Sequence, residues 1–130
     1  MKELSEMYLT RAEERVMLIL WDLEEGLVKD VRNRFPDPKP ARNTVSTVIR
    51  ILERKGFVEH KVYGIVHLYY PVVSKQSYSI SLLESLIENY FNNSFLAMTS
   101  QYAGEKNLTV KELDAIFDEL KKGAKRRKKK

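Results

Sequence analysis

The run Asn43-Thr44-Val45-Ser46-Thr47-Val48-Ile49-Arg50-Ile51-Leu52-Glu53-Arg54-Lys55-Gly56-Phe57-Val58 constrains this chain more than any other. Val45, Val48, Ile49 and Leu52 stand at i, i+3, i+4 and i+7, one apolar stripe of an α-helix. Gly56 is placed to stop that helix, and Phe57-Val58 opens a segment of β-forming residues. The side opposite the stripe carries Asn43, Ser46, Thr47, Arg50 and Arg54: short hydrogen-bonding groups toward the helix N-terminus, with arginines behind. That face suits the major groove of DNA, where small polar groups reach base edges and guanidinium groups reach guanine or phosphate.

The flanking segments build a frame around this helix. Thr10-Arg11-Ala12-Glu13 is a capping box that starts a helix running to about Leu23, with Ala12, Val16, Ile19, Leu20 and Leu23 on one side and Trp21 as a core anchor. Gly26 breaks it. Leu27, Val31 and Phe35 then recur every fourth residue in a short second helix. Pro36-Asp37-Pro38-Lys39-Pro40 is a stiff turn, and the third helix follows from about Arg42 to Lys55. Two helices joined by a turn make a helix-turn-helix.

Phe57–Val62 and Val66–Pro71 read as a hairpin, or wing. Two registers are open. A three-residue loop at Tyr63-Gly64-Ile65 puts Val58, Val62, Val66, Leu68 and Tyr70 on one face, and is the register expected. A two-residue loop sets His60 directly opposite His67.

Beyond the hairpin the pattern is helical. Ser74 caps a long helix to about Asn92, broken at Asn92-Asn93-Ser94. An apolar helix runs from Phe95 to Tyr102 and ends near Gly104. A second capping box, Thr109-Val110-Lys111-Glu112, opens a last helix to about Lys122. These helices carry Leu83, Leu86, Ile87, Tyr90, Phe91, Phe95, Leu96, Leu113, Ile116 and Phe117 with no sheet to cover. A second copy of the chain is the simplest way to bury them.

The expected architecture is mainly α with a small β-hairpin. A winged helix-turn-helix spans residues 1–73, a helical dimerisation region 74–122, and a basic disordered tail 123–130. Charge divides along the same lines. The net charge of +5 comes from the tail, where residues 121–130 hold eight Lys or Arg and no acid. Residues 1–72 are close to neutral with twelve basic and eleven acidic side chains, whereas residues 73–120 hold three basic and seven acidic. The front part is therefore the one to face a polyanion, and the acidic part the one to face protein.

The absence of cysteine excludes disulfides and thiolate metal clusters. No apolar run approaches the roughly 20 residues of a membrane helix, and none marks a signal peptide, so a cytoplasmic protein without membrane insertion is expected. No cofactor or metal is expected. His60 and His67 are the only histidines, too few for a metal site without other ligands. No nucleophile–base pair or phosphate-cradling glycine loop points to an enzyme. The DNA-binding candidates are Arg42, Asn43, Thr44, Ser46, Thr47, Arg50, Arg54, His60, Lys61 and His67. Arg50 is equally placed to read a base or phosphate, or to pair with Glu53 or Glu14. A winged helix used as a protein-interaction adaptor is the alternative function, and the cations of the third helix weigh against it.

Several motifs in fixed order match a known family. They are Leu9-Thr10-x-Ala12-Glu13 with Val16-Met17 and Leu20-Trp21, and Thr44-Val45-x-Thr47 with Arg50-x-Leu52-x-x-Lys55-Gly56. Tyr70-Pro71-x-Val73-Ser74, Tyr90-Phe91-Asn92-Asn93-Ser94 and Leu108-Thr109-x-x-Glu112-Leu113 complete the set. Over roughly residues 9 to 120 the chain resembles the penicillinase-repressor family of bacterial transcriptional regulators, which includes the antibiotic-resistance and copper-homeostasis repressors. The resemblance implies a homodimer on double-stranded DNA at an inverted-repeat operator. In the antibiotic-responsive branch it also implies a membrane sensor-protease that relieves repression by cutting the C-terminal region. The pair matching that cleavage site is Gln101-Tyr102, where the family has Asn-Phe. Without cysteine the chain lacks the cluster of the copper-responsive branch. Its wing has Ile65 where a basic residue commonly follows the glycine, which leaves wing contact with phosphate to His60, Lys61 and His67.

Overall fold

The computed structural model describes residues 8–128; the first seven residues of the expected winged-helix region and the last two of the expected tail lie outside them. The described residues form six helices and one two-stranded hairpin. Two compact units are present, Met1–Leu83 and Glu84–Lys130.

In the first unit, α1 spans Arg11–Leu23 and starts as its capping box dictates. Thr10 Oγ1 accepts from the Glu13 amide at 3.2 Å, and Glu13 Oε1 accepts from the Thr10 amide at 2.9 Å. The buried side differs from the expected one. Val16, Met17 and Leu20 are sealed and Glu13 lies among the buried residues, whereas Ala12 is exposed. The stripe is rotated so that Glu13 turns inward, where Lys55 meets it. α2 is Val28–Asn33, shorter than expected at both ends, with Val31 wholly buried. The turn after it is tied down by side chains: Lys39 Nζ donates to the Asn33 and Phe35 carbonyls, and Arg32 Nε donates to the Pro40 carbonyl at 2.8 Å.

α3 spans Arg42–Arg54 and buries Val45, Ile49 and Leu52. It ends in a Schellman motif. The Phe57 amide donates to the Leu52 carbonyl, the Gly56 amide donates to the Glu53 carbonyl, and Gly56 takes φ 87°. That left-handed residue turns the chain so that Phe57 and Val58 enter the core directly after the helix.

The hairpin corrects the expected register. β1 (Val58–Tyr63) and β2 (Val66–Pro71) pair with Tyr63 opposite Val66 and His60 opposite Tyr69. The loop is the two residues Gly64-Ile65, with Gly64 at φ 63° in the first position, as a type II′ turn requires. Neither register read from sequence is the one adopted, and the slip exchanges faces. Val58 and Tyr69 now face the core, while Val62 and Val66 are exposed and Leu68 and Tyr70 only half-buried. A long-range contact accompanies this arrangement. Gly26 exchanges both backbone hydrogen bonds with Tyr69, each at 2.9 Å, pairing a third segment with β2.

α4 spans Lys75–Tyr90, and its first turns belong to the first unit. Ser74 Oγ accepts from the Ser77 amide. Tyr78 is buried, its ring 5.6 Å from Phe57 and 6.0 Å from Trp21, and its hydroxyl accepts from the Leu9 amide. Trp21 Nε1 donates to the Val73 carbonyl at 2.9 Å, the contact that makes it an anchor.

The second unit holds the end of α4, α5 (Phe95–Glu105) and α6 (Val110–Lys128). Asn92 and Asn93 take positive φ between α4 and α5, and Ser94 caps α5 through the Ala97 amide. Thr109 and Glu112 form the second capping box. α6 runs to Lys128, so the backbone of residues 123–128, expected in a disordered tail, is helical. No helix among the described residues is long and apolar enough to cross a membrane.

Candidate nucleic-acid interface

α3 shows solvent the face anticipated from its periodicity. Arg42, Asn43, Thr44, Thr47, Arg50 and Arg54 are exposed, and Ser46 is half-buried at their edge. Among the described residues, Arg42, Arg50 and Arg54 make no ion pair, so the pairing of Arg50 with Glu53 or Glu14 does not occur. Arg50 Nη2 instead donates to Ser46 Oγ at 3.3 Å, a long bond between exposed groups that is easily exchanged for a base or a phosphate. Thr47 Oγ1 donates to the Asn43 carbonyl at 2.8 Å. Its proton is thereby engaged, while its lone pairs and methyl face outward, suited to an exocyclic amine or a thymine methyl. The first turn of α3 contains no acid, and Ala41 offers its amides no side-chain cap.

The helix is held from beneath by a buried ion pair. Lys55 Nζ lies 2.7 Å from Glu13 Oε1, with the two side chains 15% and 7% exposed. Glu13 therefore caps α1 and fixes the end of α3 at once. Burial works to raise its carboxyl pKa. Lys55 and the Thr10 amide and hydroxyl outweigh that effect, and the carboxyl lies below its ordinary value.

The wing stands on the other side of α3. His60 Nδ1 meets Glu53 Oε2, and the His60 ring stacks on His67 with centroids 4.4 Å apart and planes within 10°. The register makes these two residues diagonal neighbours on one face rather than opposite partners. Lys61 points to the other face, its Nζ 5.2 Å from the Tyr70 ring centroid. The three wing residues singled out from sequence thus divide. His60 is half-buried against α3, whereas His67 and Lys61 are exposed. The Tyr69 hydroxyl beneath them titrates above its ordinary value, through burial first and then the Glu53 charge.

A groove of about 340 Å³ joins these parts, lined by Leu27, Val28, Lys29, Arg42, Ser46, Ile65, Val66, His67 and Tyr69. It brings Lys29 and Ile65 beside Arg42 and Ser46, and neither Lys29 nor Ile65 is among the DNA-binding candidates read from sequence. Lys29 is an ordinary exposed lysine until β2 is placed across from α2, a contact set by the Gly26–Tyr69 rung.

In the second unit the residues expected at a dimer interface are mostly open to solvent. Tyr90 is 77% and Leu96 74% exposed, Leu86, Phe95, Leu113, Ile116 and Phe117 are also exposed, and Ile87 and Phe91 are half-buried. Leu83, at the end of the first unit, is exposed. Gln101 and Tyr102 lie within α5, both exposed.

The family model described as "Penicillinase repressor" matches residues 9–122. No curated protein sequence matches the chain. Among solved structures it is similar to one titled "Crystal structure of Possible transcriptional regulator for arsenical resistance", at 20% identity and a TM-score of 0.42, covering 61% of this chain and 86% of that one.

Proposed function

This chain belongs to the penicillinase repressor family, a repressor-type DNA-binding regulator, and from that premise we propose that it acts as a cytoplasmic homodimer on an inverted-repeat operator. The observation that carries this reading is the exposed face of α3, where three arginines without ion-pair partners among the described residues flank Asn43, Thr44 and Thr47 beside a wing. In this reading α3 lies in the major groove. Thr44, Ser46, Thr47 and Arg50 meet base edges, while Arg42, Asn43, Arg54, Lys61 and the wing histidines meet the backbone. The apolar residues of the second unit close against a second copy, which sets two recognition helices at the spacing of two half-sites. Bound at a promoter, the dimer blocks transcription. Relief comes through cleavage at Gln101-Tyr102 by a membrane sensor-protease, and this exposed pair offers the protease access once α5 locally unwinds.

Arg50→Ala separates base reading from phosphate contact. It is expected to weaken binding to the chain's own promoter by about 1–3 kcal/mol and to leave binding to scrambled DNA little changed. Equal losses on both would reduce Arg50 to a phosphate contact. No binding to either DNA by the unaltered chain at low salt would overturn the reading in favour of a protein-interaction adaptor.

A further inference from the structure

The wing ends in side chains left largely in water among the described residues. Ile65 is 98% exposed, Val62 60% and Tyr63 57%. A Cβ added at Gly64 would meet nothing within 4 Å, so the turn projects freely. Between Lys61 and His67 the chain reads Val62-Tyr63-Gly64-Ile65-Val66, with no charge in the tip. The tip is also continuous with the candidate DNA face, because Ile65 and Val66 line the same groove as Arg42 and Ser46.

Resting on the DNA-binding reading above, we propose that the wing tip is an uncharged minor-groove contact. Ile65 and Tyr63 enter the groove beside the major-groove site of α3 and select DNA by its shape. An element flanking a helix in the major groove comes over the neighbouring backbone and minor groove. A cationic tip there would add affinity for any sequence, through counterion release. An aliphatic tip gains only where it leaves water, and the walls of the minor groove and partly unstacked base steps supply the apolar surface. Its contribution then depends on how readily the groove opens, which is easiest at pyrimidine–purine steps. Another protein surface is the competing occupant. Lys29 and Arg42, on the groove that Ile65 also lines, favour a polyanion.

The test is a pair of footprints of the full chain on its own promoter. Hydroxyl radicals report the minor groove and dimethyl sulfate reports guanine N7 in the major groove. The variants are Ile65→Ala and Ile65→Lys, at a position exposed enough that the fold tolerates both, as far-UV circular dichroism will verify. The unaltered chain is expected to protect a minor-groove patch flanking its major-groove contacts. Ile65→Ala should lose that patch, keep the major-groove protection, and bind about tenfold more weakly (about 1.4 kcal/mol) at an unchanged salt slope. Ile65→Lys should gain affinity for scrambled DNA and steepen the salt slope by about 0.9. Flanking protection that survives in Ile65→Ala, or a defect confined to self-association, overturns the wing proposal and leaves the repressor reading standing. A chain that gives no footprint at all overturns both.

Discussion

The two units of this chain put their apolar side chains to opposite ends. In the first, Met17, Leu20, Val31, Ile49, Leu52 and Val58 are sealed from solvent at 0% exposure. In the second, Tyr90, Leu96 and Val110 each keep about three-quarters of their surface in water, and Ile116, Phe117 and Leu120 about half. The reason is layering. The first unit packs three helices and a hairpin around one centre, so each element has two or more neighbours. The second consists of successive helices without a sheet or a third layer. Apolar stripes left exposed in this way are candidates for an interaction surface. The contrast teaches that the first unit closes its own core, whereas the second leaves its apolar stripes in water, which is why the proposed dimer is placed there.

The comparison can be broken first at its strongest point. Leu52→Ala should cost the first unit about 2–5 kcal/mol, seen as a lower urea midpoint, because it leaves a cavity among Ile49, Phe57 and Val58. A loss below 1 kcal/mol would mean that the first unit is not the closed core described. Next comes the buried ion pair. Glu13→Ala takes the carboxylate from the Lys55 pair and removes a cap, at a cost of about 2–4 kcal/mol, reduced from a fully buried pair by the residual exposure of Lys55. The same pair gives the first unit an acid limit. Glu13 has a lowered folded pKa, so its contribution is complete above the ordinary carboxylate range of about 4.3. It fades as pH falls through the lower folded value. Glu13→Gln should flatten that part of the stability–pH curve, and an unchanged curve would show that the pair is energetically neutral.

The second unit is probed through association rather than unfolding. Phe117→Asp should weaken self-association about 30-fold, about 2 kcal/mol, by sedimentation equilibrium, with the urea midpoint of the first unit unchanged. A variant that self-associates as well as its parent would show that this apolar face is not the dimer seam. The smallest expected effect is at Gly56. Gly56→Ala should cost about 1 kcal/mol, because the residue holds φ 87° while a Cβ there has open space. A neutral result would mean that the Schellman turn is not what aims Phe57 into the core.

What was legible in the sequence was local. Both capping boxes, at Thr10 and Thr109, close within four residues, and α3 shows its stripe and its polar face within a few turns. What was hidden depended on distant partners. Glu13 reads as an exposed cap until Lys55 is brought to it from 42 positions away. The wing register follows from a two-residue Gly64-Ile65 turn, and the pairing of Tyr69 with the distant Gly26 accompanies it. With the register one residue off, the core face of β2 falls to Val66, Leu68 and Tyr70 instead of Tyr69. Lys29 and Ile65 joined the interface through the same contact, since only the placed hairpin brings them beside Arg42. Tyr78 was missed because its partners, Leu9, Trp21 and Phe57, come from three separate segments.

The measurement that bears most directly on this account is binding of the full chain to its own promoter and to scrambled DNA of equal length, over a salt series, with the number of chains per site. The account predicts a preference for the promoter that persists near physiological salt, with two chains bound per site. Equal and salt-labile binding to both DNAs, or one chain per site, would contradict it.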